Sequence, residues 1–265
     1  MTDYLSEILA RKRRENSRRR RHVAAMRPVE RLPDRERSER GIRALRRASG
    51  ELPSVIAEVK FRSPSAGEIR SWSPGEGIRV ARAYERGGAS VVSVLADGPG
   101  FGGSPLLVRR VAQTVGIPVL YKGFVLDPIQ VELAYDVGAS LVLLLVRVLE
   151  DFNLRALVRQ IRLLGMEPIV EAADSDEVDR AAAAGAVIVG VNARDLSTFQ
   201  VDVDAARACV ERIPPECVAV FMSGVRSADD FREVAQGRAD AVLIGEGLMR
   251  SEDPGARLSE LLGSA

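Results

Sequence analysis

The chain has 265 residues, 46% of them hydrophobic, and a formal net charge of +1, the composition of an ordinary globular protein with one large core or two small ones. Two cysteines, Cys209 and Cys217, make no disulfide framework, no CxxC or Cys/His cluster suggests zinc, and a single histidine, His22, excludes His-based triads and multi-His metal sites. Acid and base chemistry must therefore fall to Lys, Glu and Asp, in a protein expected to work in a reducing cytoplasm. The N-terminus lacks the continuous apolar segment of a signal peptide, and the longest apolar run, LVLLLV at 141–146, is far too short to span a bilayer.

Residues 1–48 hold 16 Lys and Arg against 7 Asp and Glu, a net +9, which leaves −8 on the remainder. The densest part, RKRRENSRRRRH, has no interleaved aromatics, and Leu5, Ile8 and Leu9 precede it with helical spacing. That pattern favours a solvated amphipathic helix over a nucleic-acid arm. A third reading is a basic arm that raises the local concentration of an anionic ligand.

From residue 54 onward one unit repeats. Strand candidates are SVIAEVKF (54–61), SVVSVLAD (90–97), PVLYKGFV (118–125), LVLLLVRV (141–148), EPIVEAAD (167–174), VIVGVN (187–192), VAVFMSG (218–224) and AVLIGEG (241–247). Between them lie helical stretches such as GIRVARAYERGGA, DPIQVELAYDVGA and SADDFREVAQGRA, many opening at Ser or Asp and closing at Gly. Short continuous apolar runs alternating with helices imply a parallel sheet covered on both faces. Eight such units in about 210 residues fit an α/β fold, a single (β/α)8 TIM barrel with an N-terminal helical extension. A doubly wound open sheet is the alternative, but no GxGxxG follows the first strand. The expected division is residues 1–48 as a basic extension over the barrel mouth and 49–265 as the catalytic barrel.

Glu58 and Lys60 interrupt the first strand, and their spacing of two puts both on one face. A buried ion pair contributes little stability, so the strand has no structural need for one. Active sites in such barrels lie at the C-terminal ends of the strands. Read in order, those ends carry Glu58 and Lys60 with Ser63 beyond, Lys122, Glu171, Asn192 with Arg194, Ser223 with Gly224, and Gly245 with Glu246 and Gly247. The glycines after strands seven and eight let backbone N–H groups approach an anion, at the usual phosphate position of this architecture.

The run IAEVKFRSPSAGEI closely resembles the first-strand signature of the indole-3-glycerol phosphate synthase family. The likeness continues through FGGS, LYKGFVLDPIQV, VLLLVRVL, PIVEAAD, GVNARDLSTFQVD, SGVRSADD and VLIGEGLMR, in order and over essentially the whole chain. The resemblance implies a cytoplasmic barrel lyase of tryptophan biosynthesis. Its members convert 1-(2-carboxyphenylamino)-1-deoxyribulose 5-phosphate to indole-3-glycerol phosphate, carbon dioxide and water without metal or cofactor. It implies Lys122 as the acid that protonates the substrate carbonyl, and Lys60 as a carboxylate contact and an acid in dehydration. Glu58 is implied as the partner base, with Glu171 and Asn192 supporting charge. Ser63, Gly224 and Gly245 fall at phosphate positions with Ser223, also a catalytic candidate, and Glu246 beside them; Arg194, Phe101, Phe124, Leu143, Leu196 and Leu243 fall at other pocket positions. The expected partner is the phosphorylated anthranilate-ribulose substrate, bound by a monomer without nucleic acid or membrane.

Two positions depart from the family pattern, Gly123 and Met222, where many members carry acidic residues. Loss of charge at 123, with two lysines in one pocket, is expected to lower the Lys122 pKa and make it a readier proton donor. The competing readings are another phosphate-binding barrel isomerase, disfavoured because strand one ends in Glu and Lys, and a barrel that binds a phosphometabolite without turnover.

Overall fold

The computed structural model describes residues 4–24, 31–32 and 34–263. Eight parallel strands close into a barrel: β1 (Ser54–Val59), β2 (Val91–Leu95), β3 (Val119–Lys122), β4 (Leu141–Leu145), β5 (Glu167–Ala172), β6 (Ile188–Asn192), β7 (Val218–Met222) and β8 (Ala241–Ile244). Strand β1 pairs with both β2 and β8, which completes the ring. The fourth strand is shorter than its apolar run suggests, because Val146–Val148 turns into a 3-10 helix.

Alternation along each strand sorts its side chains between two cores. Ile56, Leu120, Leu143, Ile169, Ile188, Val220 and Leu243 fill the barrel interior. Ala57, Val59, Val92, Val94, Tyr121 and Val170 face the surrounding helices. Both faces are buried, so the strands read as continuous apolar runs. The same alternation puts Glu58 in the interior set with Ile56, at the register position of Ser93.

The outer helices begin where the sequence places caps. Ser73, Ser104, Asp127, Asp174, Asp202, Ser227 and Asp253 each accept a backbone N–H from the first turn of the helix that follows. The caps after β3, β5 and β7 stand close to the strand ends, whereas longer connections follow β1, β2 and β6, and both kinds carry polar residues at the C-terminal end of the barrel.

Two helices precede the barrel, α1 (Tyr4–Ala24) and α2 (Arg35–Leu45), and they lie at opposite ends. Helix α1 meets the loops after β2, β3 and β6: Arg11 and Lys12 reach Asp97, Asn16 donates to Gln130, Arg20 pairs with Asp127, and the Tyr4 ring packs edge-on to Phe199. Helix α2 sits at the foot. Leu45 enters the barrel interior cluster, Gly41 lies against Leu141 at the start of β4, and Ser38 donates to Glu167 at the start of β5. Arg47 donates to the carbonyls of Ala235, Gly237 and Ala239 just before β8. The expectation that residues 1–48 lie as one piece over the mouth is therefore corrected. The barrel interior is apolar at its foot and needs a cover there, and the amphipathic α2 supplies it. Among the described residues no helix is long and apolar enough to cross a membrane.

Candidate active site

Two ion pairs stand at the C-terminal end of the barrel interior. Lys60 Nζ lies 3.3 Å from Glu58 Oε1 on the β1 side. Lys122 Nζ, at the end of β3, lies 3.4 Å from Glu171 Oε2 on β5. Both carboxylates are almost fully buried and each has a further neutral donor: Ser93 Oγ donates to Glu58 Oε2 at 3.2 Å, and Asn192 Nδ2 to Glu171 Oε1 at 2.9 Å. The Asn192 carbonyl accepts the Arg194 N–H at 3.0 Å, which fixes the amide with its donor end toward Glu171.

These contacts decide the charge states. Burial pushes the Glu58 carboxyl up, but Lys60, Lys122 and the hydrogen bonds from Lys60 and Ser93 outweigh it and hold its pKa below the ordinary glutamate value. Burial likewise disfavours the Lys122 ammonium, yet Glu171, Glu58 and the Glu171 hydrogen bond raise its pKa above the ordinary lysine value. The expected lowering of Lys122 is thus overturned. A Cβ built at Gly123 meets Tyr121 and Ala96 on the outer side, and the acidic partner of Lys122 is Glu171, directly against it. Met222 is buried in the interior, with its terminal methyl over Gly190, where a Cβ would come within 2.5 Å of Met222 Cε.

A cavity of about 520 Å³ opens beside the β1 pair. Its rim is Ser223, Gly224, Gly245, Glu246 and Gly247, with Ser65 and Ala66 opposite and Leu243 at its base. Ser223 and Gly224 both have positive φ, 68° and 88°, so the chain turns sharply there. At Gly245 a Cβ would sit 3.0 Å from Glu58 Oε1, so this glycine lets the cavity rim and the Glu58 carboxylate lie side by side. Glu246 reaches the cavity but is paired with Arg250 at 3.0 Å.

The candidate residues divide into three groups. Glu58, Lys60, Arg194, Ser223, Gly224, Leu243, Gly245 and Glu246 line the cavity. Lys122, Glu171 and Asn192 form the second cluster, outside that lining. Phe101, Phe124, Leu143 and Leu196 belong to the interior apolar cluster, with the rings of Phe101 and Phe124 6.0 Å apart. Ser63 departs from its expected place: it is buried, and its hydroxyl accepts the Ala66 N–H at 3.1 Å, so it shapes the hairpin of residues 62–63 and 67–68 that brings Ser65 and Ala66 to the rim. Sequence reasoning missed Ser93 and Asp97. A polar residue inside SVVSVLAD, on the alternation that faces Glu58, was the available signal for Ser93.

The family model for indole-3-glycerol phosphate synthase matches residues 5–261. The indole-3-glycerol phosphate synthase of Koribacter versatilis is 41% identical over 229 residues, 86% of this chain and 87% of that protein. Indole-3-glycerol phosphate synthase 1 of Streptomyces coelicolor is 40% identical over 258 residues, 97% of this chain and 94% of that protein. Among solved structures, KGPDC from Streptococcus mutans superposes with a TM-score of 0.63 at 12% identity, covering 81% of this chain and 97% of that one. 3-Hexulose-6-phosphate synthase from Salmonella typhimurium gives 0.61 at 13% identity, with coverage of 80% and 97%. These last two likenesses are of fold.

Proposed function

The chain belongs to the indole-3-glycerol phosphate synthase family, and on that premise we propose that it closes the indole ring of 1-(2-carboxyphenylamino)-1-deoxyribulose 5-phosphate with loss of carbon dioxide and water. The single observation that carries the assignment of roles is the convergence of two lysine–carboxylate pairs at one barrel end, beside a glycine-rimmed cavity.

The substrate phosphate belongs against Ser223, Gly224, Gly245 and Gly247, where bare backbone allows close N–H approach. The carboxyphenyl ring then falls toward Phe101, Phe124, Leu143 and Leu196. As the ring carbon bearing the carboxylate attacks the ribulose carbonyl, the Lys122 ammonium donates its proton to the developing alkoxide. Its raised pKa keeps the proton in place at neutral pH, and Glu171 steadies the ammonium until charge develops on the substrate. Carbon dioxide leaves with its bonding electrons returned to the ring. The hydroxyl departs as water on a proton from Lys60, and Glu58, held ionised, accepts the proton released as the indole forms.

The same reading gives a monomer that works in the cytoplasm without metal or cofactor, in keeping with two unpaired cysteines. The test is formation of the indole chromophore from the substrate. Turnover by the native chain, abolished in Lys122→Ala and Lys60→Ala, is expected. A barrel that only binds a phosphometabolite would show no turnover in the native chain.

A further inference from the structure

Asp97 lies two residues past the end of β2, at the level of the barrel where the charged chemistry sits, and it is 1% exposed. It does not line the cavity. Its carboxylate instead takes Arg11 Nη2 at 2.8 Å and Lys12 Nζ at 3.2 Å, both from α1. Glu15 holds the same two cations from the solvent side, at 3.4 and 2.8 Å. Both cations come from α1, so undocking breaks both ion pairs, and Asp97 favours the docked helix.

Docking of α1 has a consequence at the site. Leu5 and Ile8 join the apolar cluster of Phe124, Leu143 and Leu145. The open cavity reaches Glu58, Lys60 and Leu243 but not Lys122 or Glu171. Gly100, at φ 91°, has no Cβ to collide with the Tyr4 hydroxyl, which lets the helix start settle on the loop after β2. Helix α1 is held largely by polar contacts: Arg13, Arg14, Arg18 and Arg21 are exposed, few of its side chains are buried, and its other anchors are Asn16 to Gln130 and Arg20 to Asp127. A helix with so little buried apolar surface opens locally at small cost, so its polar anchors set how often it is docked.

Resting on the ring-closing reading above, we propose that Asp97 is a positioning residue of that reaction, latching Arg11 and Lys12 so that α1 completes the apolar wall over the Lys122 side of the mouth. Asp97 acts through α1 and touches no reacting atom. Undocking admits the carboxyphenyl ring and docking excludes water from it. The apparent affinity then scales with the fraction of molecules that can close.

Steady-state turnover and tryptic cleavage within α1 test this together. Asp97→Asn keeps the shape and removes the charge. It is expected to raise KM about tenfold with a smaller change in kcat, and to speed cleavage at Arg13, Arg14 and Arg18 by a similar factor. The double variant Arg11→Gln/Lys12→Gln, built on the helix surface, should reproduce both effects, and combining it with Asp97→Asn should add nothing further. Native KM in either variant overturns the proposal, as does full additivity of the two. If Asp97→Asn does not fold, the double variant decides. Absence of turnover in the native chain would sink the ring-closing reading instead, and the tryptic comparison would then decide by itself whether Asp97 holds the helix.

Discussion

Glu171→Gln removes one charge and leaves the shape of the site. The carboxylate oxygen it replaces lies 3.4 Å from Lys122 Nζ. At that distance the attraction is about 1 kcal/mol in bulk water and about 5 kcal/mol at an effective dielectric of 20. Burial, the largest influence on Lys122, opposes its charge, and Glu171 is the foremost group that overcomes it. With Glu171 neutral, burial gains the upper hand and the ammonium gives up its proton at lower pH. Since the charged form is the acid, the alkaline limb of the kcat/KM–pH profile should move toward neutrality by about one pH unit or more. A raised lysine pKa also stabilises the fold at lower pH, and that stabilisation is lost as pH rises through the folded-state value. The variant should therefore be less stable than the native chain at neutral pH, with the difference shrinking in alkaline solution. Indole formation followed from about pH 6 to about pH 10, with urea unfolding at both ends, gives both readouts. An alkaline limb that stays in place would refute Lys122 as the acid whose charge Glu171 sustains.

Gly245→Ala pushes a methyl to 3.0 Å from Glu58 Oε1, so the side chain that pairs with Lys60 must give way; kcat should fall roughly 10- to 100-fold with the fold intact. Gly224→Ala meets both a φ of 88° and Val203 Cγ2 at 2.9 Å. It distorts the cavity rim proposed to hold the phosphate, and a rise in KM of about tenfold together with a stability loss of about 1–3 kcal/mol is expected from kinetics and denaturant titration. Gly190→Ala overfills the barrel at Met222 Cε and should cost about 1–3 kcal/mol by urea midpoint. Pairing it with Met222→Val should cost less than the sum of the two single changes, because both act on the same space.

Much of this arrangement is readable before any coordinates. The eight repeats, the Ser and Asp caps and the inward-facing pair Glu58 and Lys60 all follow from periods of two and 3.6 residues, which a sequence displays directly. Polar residues at apolar strand ends also marked Lys122, Glu171 and Asn192. Less legible were Ser63, whose hydroxyl is consumed within its own hairpin, and Ser93, which becomes significant only opposite Glu58.

What the sequence by itself determined is local: which stretches become strands, which face each side chain takes, and where each helix starts. Tertiary structure alone decided the charge of Lys122, the foot position of α2 and the capture of Arg11 and Lys12 by Asp97. The physical reason is range. Alternation and capping act over a few residues, whereas a buried group's pKa is the balance of its own desolvation against partners far along the chain, Glu171 lying 49 positions from Lys122 and Glu58 further still, and only closure of the barrel brings those partners within reach.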